Sequence, residues 1–302
     1  MKLKADVNTR DEKGNTALHC EENKETVKFL IQSGLDVNAK NKIGNTPLFY
    51  VKSKEVTELL IQAGADVNYK NNHGNTPLFR ASKEIAELLI QSGLDVNERN
   101  LNGFTPLFYV QSKEVAELLI QAGADVNAKD NLGSTPLFYA QSKGVAEVLI
   151  QAGADVNTKN DYENTPLFSA KSKEIAELLI QSGADVNTQN RYGNTPLFYA
   201  ISKEIAEVLI QAGADVNTRN KDRDTQLHIE DNPEIIELLI YAGADLNAKN
   251  IEEKTPVEFQ RCQGSDNLAD FIEQKAIELE QKKLNQTLPN AQKKLNHFKN
   301  HL

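Results

Sequence analysis

Apolar positions recur along this chain at helical spacing. In 46–75, Val56, Leu59, Leu60 and Ala63 fall at i, i+3, i+4 and i+7, the stripe of a helix with one buried face. Ser53 stands where an N-cap is wanted, and Glu55 sits in the first turn, where the helix dipole favours an acid. Gly64 ends the stripe as a left-handed stop. A shorter apolar pair, Leu48 and Val51, precedes it behind Thr46-Pro47, a capping residue followed by a proline tolerated at the first helical position. The pattern therefore predicts a first helix of five or six residues, a turn and a second helix. An extended, Asn- and Gly-containing hairpin then returns to the next Thr-Pro.

This arrangement repeats. GNTPLFY at 44–50 returns as GNTPLFR at 74–80, GFTPLFY at 103–109, GSTPLFY at 133–139 and GNTPLFY at 193–199. Variants stand at 14–20, 163–169, 223–229 and 253–259. The motif threonines are Thr16, Thr46, Thr76, Thr105, Thr135, Thr165, Thr195, Thr225 and Thr255, 30 residues apart except for 29 between Thr76 and Thr105. The glycine stop recurs at Gly34, Gly93, Gly123, Gly153, Gly183, Gly213 and Gly243. A fixed period makes this a repeat architecture, in which each copy packs only on its neighbours and length sets the number of copies.

The repeated T-P-L-F/H and G-A-D-V-N elements resemble the ankyrin repeat over residues 9–275. The resemblance implies an all-α repeat solenoid, an ankyrin-type helix-turn-helix-hairpin stack of nine repeats. Residues 1–8 read as the remnant of a partial repeat and 276–302 as a basic helical C-terminal tail. It also implies a non-enzymatic scaffold or adaptor that binds a protein on a concave surface of hairpin fingers and first helices. Two departures stand out. The first helix and its turn are clipped by three residues relative to the usual 33 of that family. Phe49, Phe79, Phe108, Phe138, Phe168 and Phe198 replace the usual His, which only His19 and His228 retain.

The ends differ from the middle. Five residues after the motif Thr stand Val51, Ala81, Val110, Ala140, Ala170 and Ala200, but Glu21, Glu230 and Gln260 in the first, eighth and ninth repeats. An unpaired buried Glu is costly, so these repeats are expected to be caps or loosely packed, with repeats eight and nine opening more easily than the middle. Pro289-Asn290 is expected to break the last helix, with residues 291–302 as a separate basic amphipathic helix.

Candidate contact residues lie where the scaffold varies. At the finger tips stand Ile43, His73, Leu101, Leu132, Tyr162, Arg191 and Tyr192, and Phe104 occupies a place that is mostly Asn. Exposed apolar side chains on loops held by a rigid scaffold point to binding. Six residues before each Thr runs a row of cations: Arg10, Lys40, Lys70, Arg99, Lys129, Lys159, Arg219 and Lys249, with Gln189 as the gap. Such a row favours an acidic partner. Tyr50, Tyr109, Tyr139 and Tyr199 recur one residue after the Phe, but Arg80 and Ser169 interrupt the row that a base-stacking platform would need, and the resemblance makes the position semi-buried, so core packing is the expected role. The Asn of each Asp-Val-Asn is expected to satisfy hairpin backbone groups.

Composition narrows the classes. The net charge is −9, which disfavours general nucleic-acid binding. From Lys275 onward six lysines face Glu278 and Glu280, a balance of +4 that leaves −13 on the rest. Cys20 and Cys262 lie in the first and last repeats, too far apart in such a stack for a disulfide, and a reducing, cytoplasmic setting follows. No classical secretion signal is expected from MKLKADVNTR, which has no apolar core, and no apolar run is long enough to suggest a membrane span. No phosphate loop, nucleophile elbow or CxxC is present, and His297 and His301 lack further ligands, so no catalytic residue, metal or cofactor is expected. The expected partner is an unidentified protein, with the chain itself a monomer. A high ratio of 27 Lys to 7 Arg fits an AT-rich genome. It keeps a host-directed effector of an intracellular microbe, delivered by non-classical secretion, as an alternative beside a structural spacer.

Overall fold

The computed structural model describes residues 7–299, with side chains to 285. Every regular element among the described residues is a helix, with no strand. Two compact units, Met1–Asp161 and Tyr162–Leu302, are distinguished by their internal contacts. The first contains α1 (Lys24–Gln32), α2 (Lys54–Gln62), α3 (Lys83–Gln91), α4 (Lys113–Gln121) and α5 (Lys143–Gln151). The second contains α6 (Lys173–Gln181), α7 (Lys203–Gln211), α8 (Gln226–Ile229), α9 (Pro233–Tyr241), α10 (Pro256–Cys262) and α11 (Asp266–Lys299). Within each unit the long helices pack neighbour on neighbour.

The second helices form where the stripe predicts, but only part of it is buried: Leu59 is half-buried and Ala63 exposed, while Thr57 takes a place on the buried face. Val56 and Leu60 are fully buried, as are Ala86 and Leu89 in α3 and Ala146 and Leu149 in α5. Ser53 accepts from the Val56 amide, and Ser112, Ser142, Ser172 and Ser202 repeat this cap.

The first helices are shorter than expected. In the first seven repeats they are single 3-10 turns, such as Pro47–Phe49 and Pro106–Tyr109, while α8 is one α-turn and α10 runs seven residues. The motif Thr does not cap the 3-10 turns with its side chain, because the amide that an N-cap hydroxyl would meet is already taken. The Phe49 amide donates to the Thr46 carbonyl at 3.1 Å, and Phe108 to Thr105 likewise at 3.1 Å. The buried hydroxyls of Thr46, Thr76, Thr105, Thr135 and Thr165 consequently find no partner among the described residues. Where His survives, the gap is closed. His19 Nδ1 accepts from the Thr16 amide at 3.0 Å, and its Nε2 donates to the Asn45 carbonyl at 3.1 Å. His228 does the same with Thr225 and Lys254. Burial holds both imidazoles below their ordinary pKa, which keeps Nδ1 an acceptor.

The polar residues of repeats eight and nine are neither outward-facing nor loosely held. Glu230 is 8% exposed and Gln260 5%. The Glu230 carboxylate accepts from Gln226 Nε2 and from the Asp231 and Asn232 amides. Gln260 Nε2 donates to the carbonyls of His228 and Glu230 at 2.8 and 3.2 Å, serving the C-terminal end of α8. The departures from Thr-Pro-Leu-Phe at 226, 228 and 230 therefore form one network with Gln260.

Burial raises the Glu230 pKa above its ordinary 4.5 despite those hydrogen bonds. The folded state then binds the proton more tightly than the unfolded state. Its contribution is complete below pH 4.5 and is lost as pH rises through the raised value. Glu230→Gln mimics the protonated form, so the variant is expected to exceed the parent in stability at pH 7 and to match it near pH 4. Urea midpoints at the two pH values check this, and an equal gain at both would refute it.

The last helix also departs from expectation. Its backbone remains helical through Pro289 to Lys299. Proline deletes one i→i−4 bond and crowds the preceding turn, which kinks a helix without having to end it. His301 and the last turn of the expected amphipathic segment lie outside the described residues, as do the first residues of the partial repeat.

Candidate interaction surface

The fingers are joined edge to edge by backbone bonds within each unit. The Lys42 amide donates to Lys13, Asn72 to Ile43, Leu101 to His73, Asn131 to Asn102 and Asp161 to Leu132, at 2.8–3.2 Å. In the second unit Arg191 donates to Tyr162, Lys221 to Tyr192 and Ile251 to Asp222. Tip residues thus have a fixed main chain and exposed side chains. Ile43 is 47% exposed, Leu101 70%, Leu132 47% and Tyr192 52%. His73 and Tyr162 are also exposed, and the Arg191 guanidinium lies 5.2 Å from the Tyr162 ring. Ile251, at the same place in the ninth repeat, is equally exposed; its position was readable from the period but its repeat carries the least typical motif.

Behind the tips an asparagine ladder runs through the finger bases. Asn41 Nδ2 donates to Asn15 Oδ1 at 2.8 Å, Asn71 to Asn45 at 2.7 Å and Asn100 to Asn75 at 2.9 Å. Each also accepts amides of its own hairpin, as Asn100 does from Asn102 and Phe104. Phe104 breaks the ladder, since a ring offers no acceptor. The next rung is Asp130, not Asn, and it accepts from the Tyr139 hydroxyl at 2.8 Å. An amide there would have faced the ring, whereas a carboxylate has no proton to place. Burial and then Asp130 push the Tyr139 pKa up to about 12.

Phe104 is accordingly not a free tip. It is half-buried, with ring centroids 5.0 Å from Phe108, 5.6 Å from Tyr109 and 5.3 Å from Tyr139. The recurring tyrosines are likewise only partly core. Tyr109 and Tyr199 are each 39% exposed, and Tyr50 and Tyr199 accept through their hydroxyls from the asparagines of their own finger.

The cation row divides into two kinds. The arginines are staples between fingers. Arg10 donates to the Gly14 and Lys40 carbonyls at 2.8 and 2.6 Å, and Arg99 to Gly103 and Lys129 at 3.1 and 2.7 Å. Arg219 bridges Arg223 and Lys249 in the same way. Lys70 pairs with Glu98, Lys40 lies 4.4 Å from the Tyr69 ring, and Lys249 faces Glu253. Lys129 and Lys159 are the ammonium groups of the row without a side-chain partner among the described residues.

The Asp-Val-Asn motif also works between repeats. Asn38 Nδ2 donates to the Gly64 carbonyl at 2.9 Å while its Oδ1 accepts from the Asp66 amide at 2.8 Å. Asn68, Asn97, Asn127, Asn187 and Asn217 repeat the pair. The hairpin's own amide is served by the aspartate, as Asp36 accepts from Asn38 at 2.8 Å. The Asn thus satisfies backbone groups as expected, but those of the next repeat: it ties its repeat to the end of the next long helix.

Paired helices and hydrogen-bonded fingers define a helical repeat protein built to present a surface. The family model for Ankyrin repeats (3 copies) matches residues 1–71, 20–100, 82–160, 142–220 and 168–250. The chain belongs to the ankyrin repeat family, whose members are in general protein-interaction modules and typically not enzymes. The search of curated proteins returned no match. Among the described residues no helix is long and apolar enough to cross a membrane, and no three metal-ligating side chains gather. Both cysteines are free and exposed.

Proposed function

We propose that this chain is a non-enzymatic scaffold whose finger side in Met1–Asp161 captures a protein with an apolar, acidic surface. The observation carrying this reading is the set of exposed tips, Ile43, Leu101 and Leu132, on fingers whose main chain is hydrogen-bonded to its neighbours. A surface already fixed loses little entropy on binding. Lys129 and Lys159, free of side-chain partners, add charge of the sign an acidic partner complements.

The test is affinity capture with the whole chain followed by titration of the captured protein. Leu101→Ser with Leu132→Ser is expected to weaken binding at least tenfold. Lys129→Glu with Lys159→Glu is expected to weaken it less and to flatten its salt dependence. Arg99→Glu would not test charge, because it removes a staple of the fold. A spacer role predicts unchanged capture when all tips are made alike, and that result would end the present reading.

A further inference from the structure

Repeat three is the short one. Its turn from Thr76 to Ser82 has one residue fewer than that from Thr46 to Ser53 or Thr105 to Ser112. A chain shortened on one side of a joint cannot cover what its neighbour's full turn covers. The consequence appears on α4. Val27 and Val56 are 0% exposed, Ile85 2%, Val145 1%, Ile175 2%, Ile205 3% and Ile235 1%. Val115, the equivalent of all seven, is half-exposed.

The uncovered space is a groove of about 740 Å³, running between the turns that lead into α3 and α4, with Leu119 and Val115 along it. It is of the size that holds a few side chains. Two donors line it without partners among the described residues. The guanidinium of Arg80 makes no hydrogen bond or ion pair, and Arg80 stands where four other repeats carry Tyr. The buried Val110 amide lacks the i−3 carbonyl that Ala81, Ala140, Ala170 and Ala200 reach at 3.2–3.4 Å.

The charges around Arg80 set what fits. Lys83 also lines the groove, its ammonium 3.9 Å from Glu87. Glu84 and Glu114 line it too, and both are held below the ordinary carboxylate pKa, first by their own backbone amides and then by Ser82 and Ser112. They are ionised at neutral pH and oppose a dense anion such as a phosphate. A single carboxylate placed against Arg80, on a chain whose neighbouring side chain covers Val115, meets attraction and burial together.

We propose that this groove is a second docking site, which takes a linear peptide segment bearing an apolar side chain next to an Asp or Glu. The apolar side chain covers Val115, the carboxylate pairs with Arg80, and a peptide carbonyl accepts from the Val110 amide. The site lies at the inter-helix turns and is independent of the finger surface.

A random-peptide display library panned on the full chain is the test, with selected peptides synthesised and titrated by fluorescence polarisation. The expected peptides carry an acid beside an aliphatic or aromatic residue. Arg80→Tyr, the residue of sibling repeats, is expected to weaken them roughly ten- to a hundredfold, the range of a charge-assisted hydrogen bond. Inserting one lysine between Ala81 and Ser82 restores the sibling spacing and is expected to abolish binding. Val115→Arg fills the groove by another route should the insertion fold poorly, with circular dichroism confirming each fold. Leu101→Ser leaves these peptides bound. Selecting no peptide, or peptides indifferent to Arg80→Tyr and Val115→Arg, overturns the groove. Peptides lost only with Leu101→Ser also overturn it while leaving the finger reading standing.

Discussion

Truncating Leu89 to alanine is expected to cost about 2–5 kcal/mol, the range for a fully buried leucine whose cavity cannot collapse. Leu89 is 0% exposed in α3, which packs between α2 and α4. Its chain neighbour Leu88 is half-exposed on the same helix, and Leu88→Ala should cost about 1 kcal/mol or less. The pair removes the same atoms from the same helix and differs only in the face. In a repeat protein the effect should also be local, since stability is close to a sum of repeat terms and neighbour interfaces. Hydrogen exchange is expected to lose protection in α2, α3 and α4 while α9 and α10 keep theirs. Equal losses for the two leucines, or a drop spread evenly over the chain, would contradict the packing described.

The burial of Leu89 was legible in the sequence, as were the glycine stops, the serine caps and the family. The exposure of Leu88 was not, since the i, i+3, i+4 stripe takes in its position (Leu59 in α2) as well. What the sequence hid were features that depend on contacts about 30 residues away. Arg99 reads as one cation in a row, but its guanidinium reaches a carbonyl on the next finger. Glu230 reads as a lone buried acid, and only packing brings Gln226 and the neighbouring amides to it. Phe104 reads as an exposed tip until Phe108 and Tyr139 close on it. The 29-residue spacing of repeat three was visible, yet its effect falls on Val115 in the next repeat. Local rules also misjudged the first helix, where Thr-Pro supports a cap but the 3-10 turn leaves no free amide to donate to the Thr hydroxyl. Pro289 marks the opposite error, a strong local breaker inside a helix that continues.

Finger packing leads to the second large effect. Gly103 has φ +79°, and a Cβ there would lie 2.5 Å from Asn131 Oδ1, 2.6 Å from Arg99 Nη2 and 2.8 Å from the Asn131 amide nitrogen. The amide is bonded to the Asn102 carbonyl, so the neighbouring finger cannot withdraw without losing that bond. Gly123, at the end of α4, has φ +91° but nothing within 4 Å of the same atom. Left-handed backbone costs an alanine about 1–2 kcal/mol, and overpacking adds about 1–3 kcal/mol. Gly123→Ala should therefore lose only the first amount and Gly103→Ala about 2–5 kcal/mol, the two contributions together. Glu163, Arg223 and Glu253 adopt φ of 59–62° at the equivalent tip, which shows that a side chain is accepted there when the adjoining finger leaves room. The same logic assigns the expected damage to the joint between repeats four and five, where Arg99 and Asn131 both contribute. Urea unfolding of the two alanine variants measures the difference. A Gly103 variant no weaker than the Gly123 variant would mean that the fingers separate freely, and a surface that depends on their fixed spacing would then have no support.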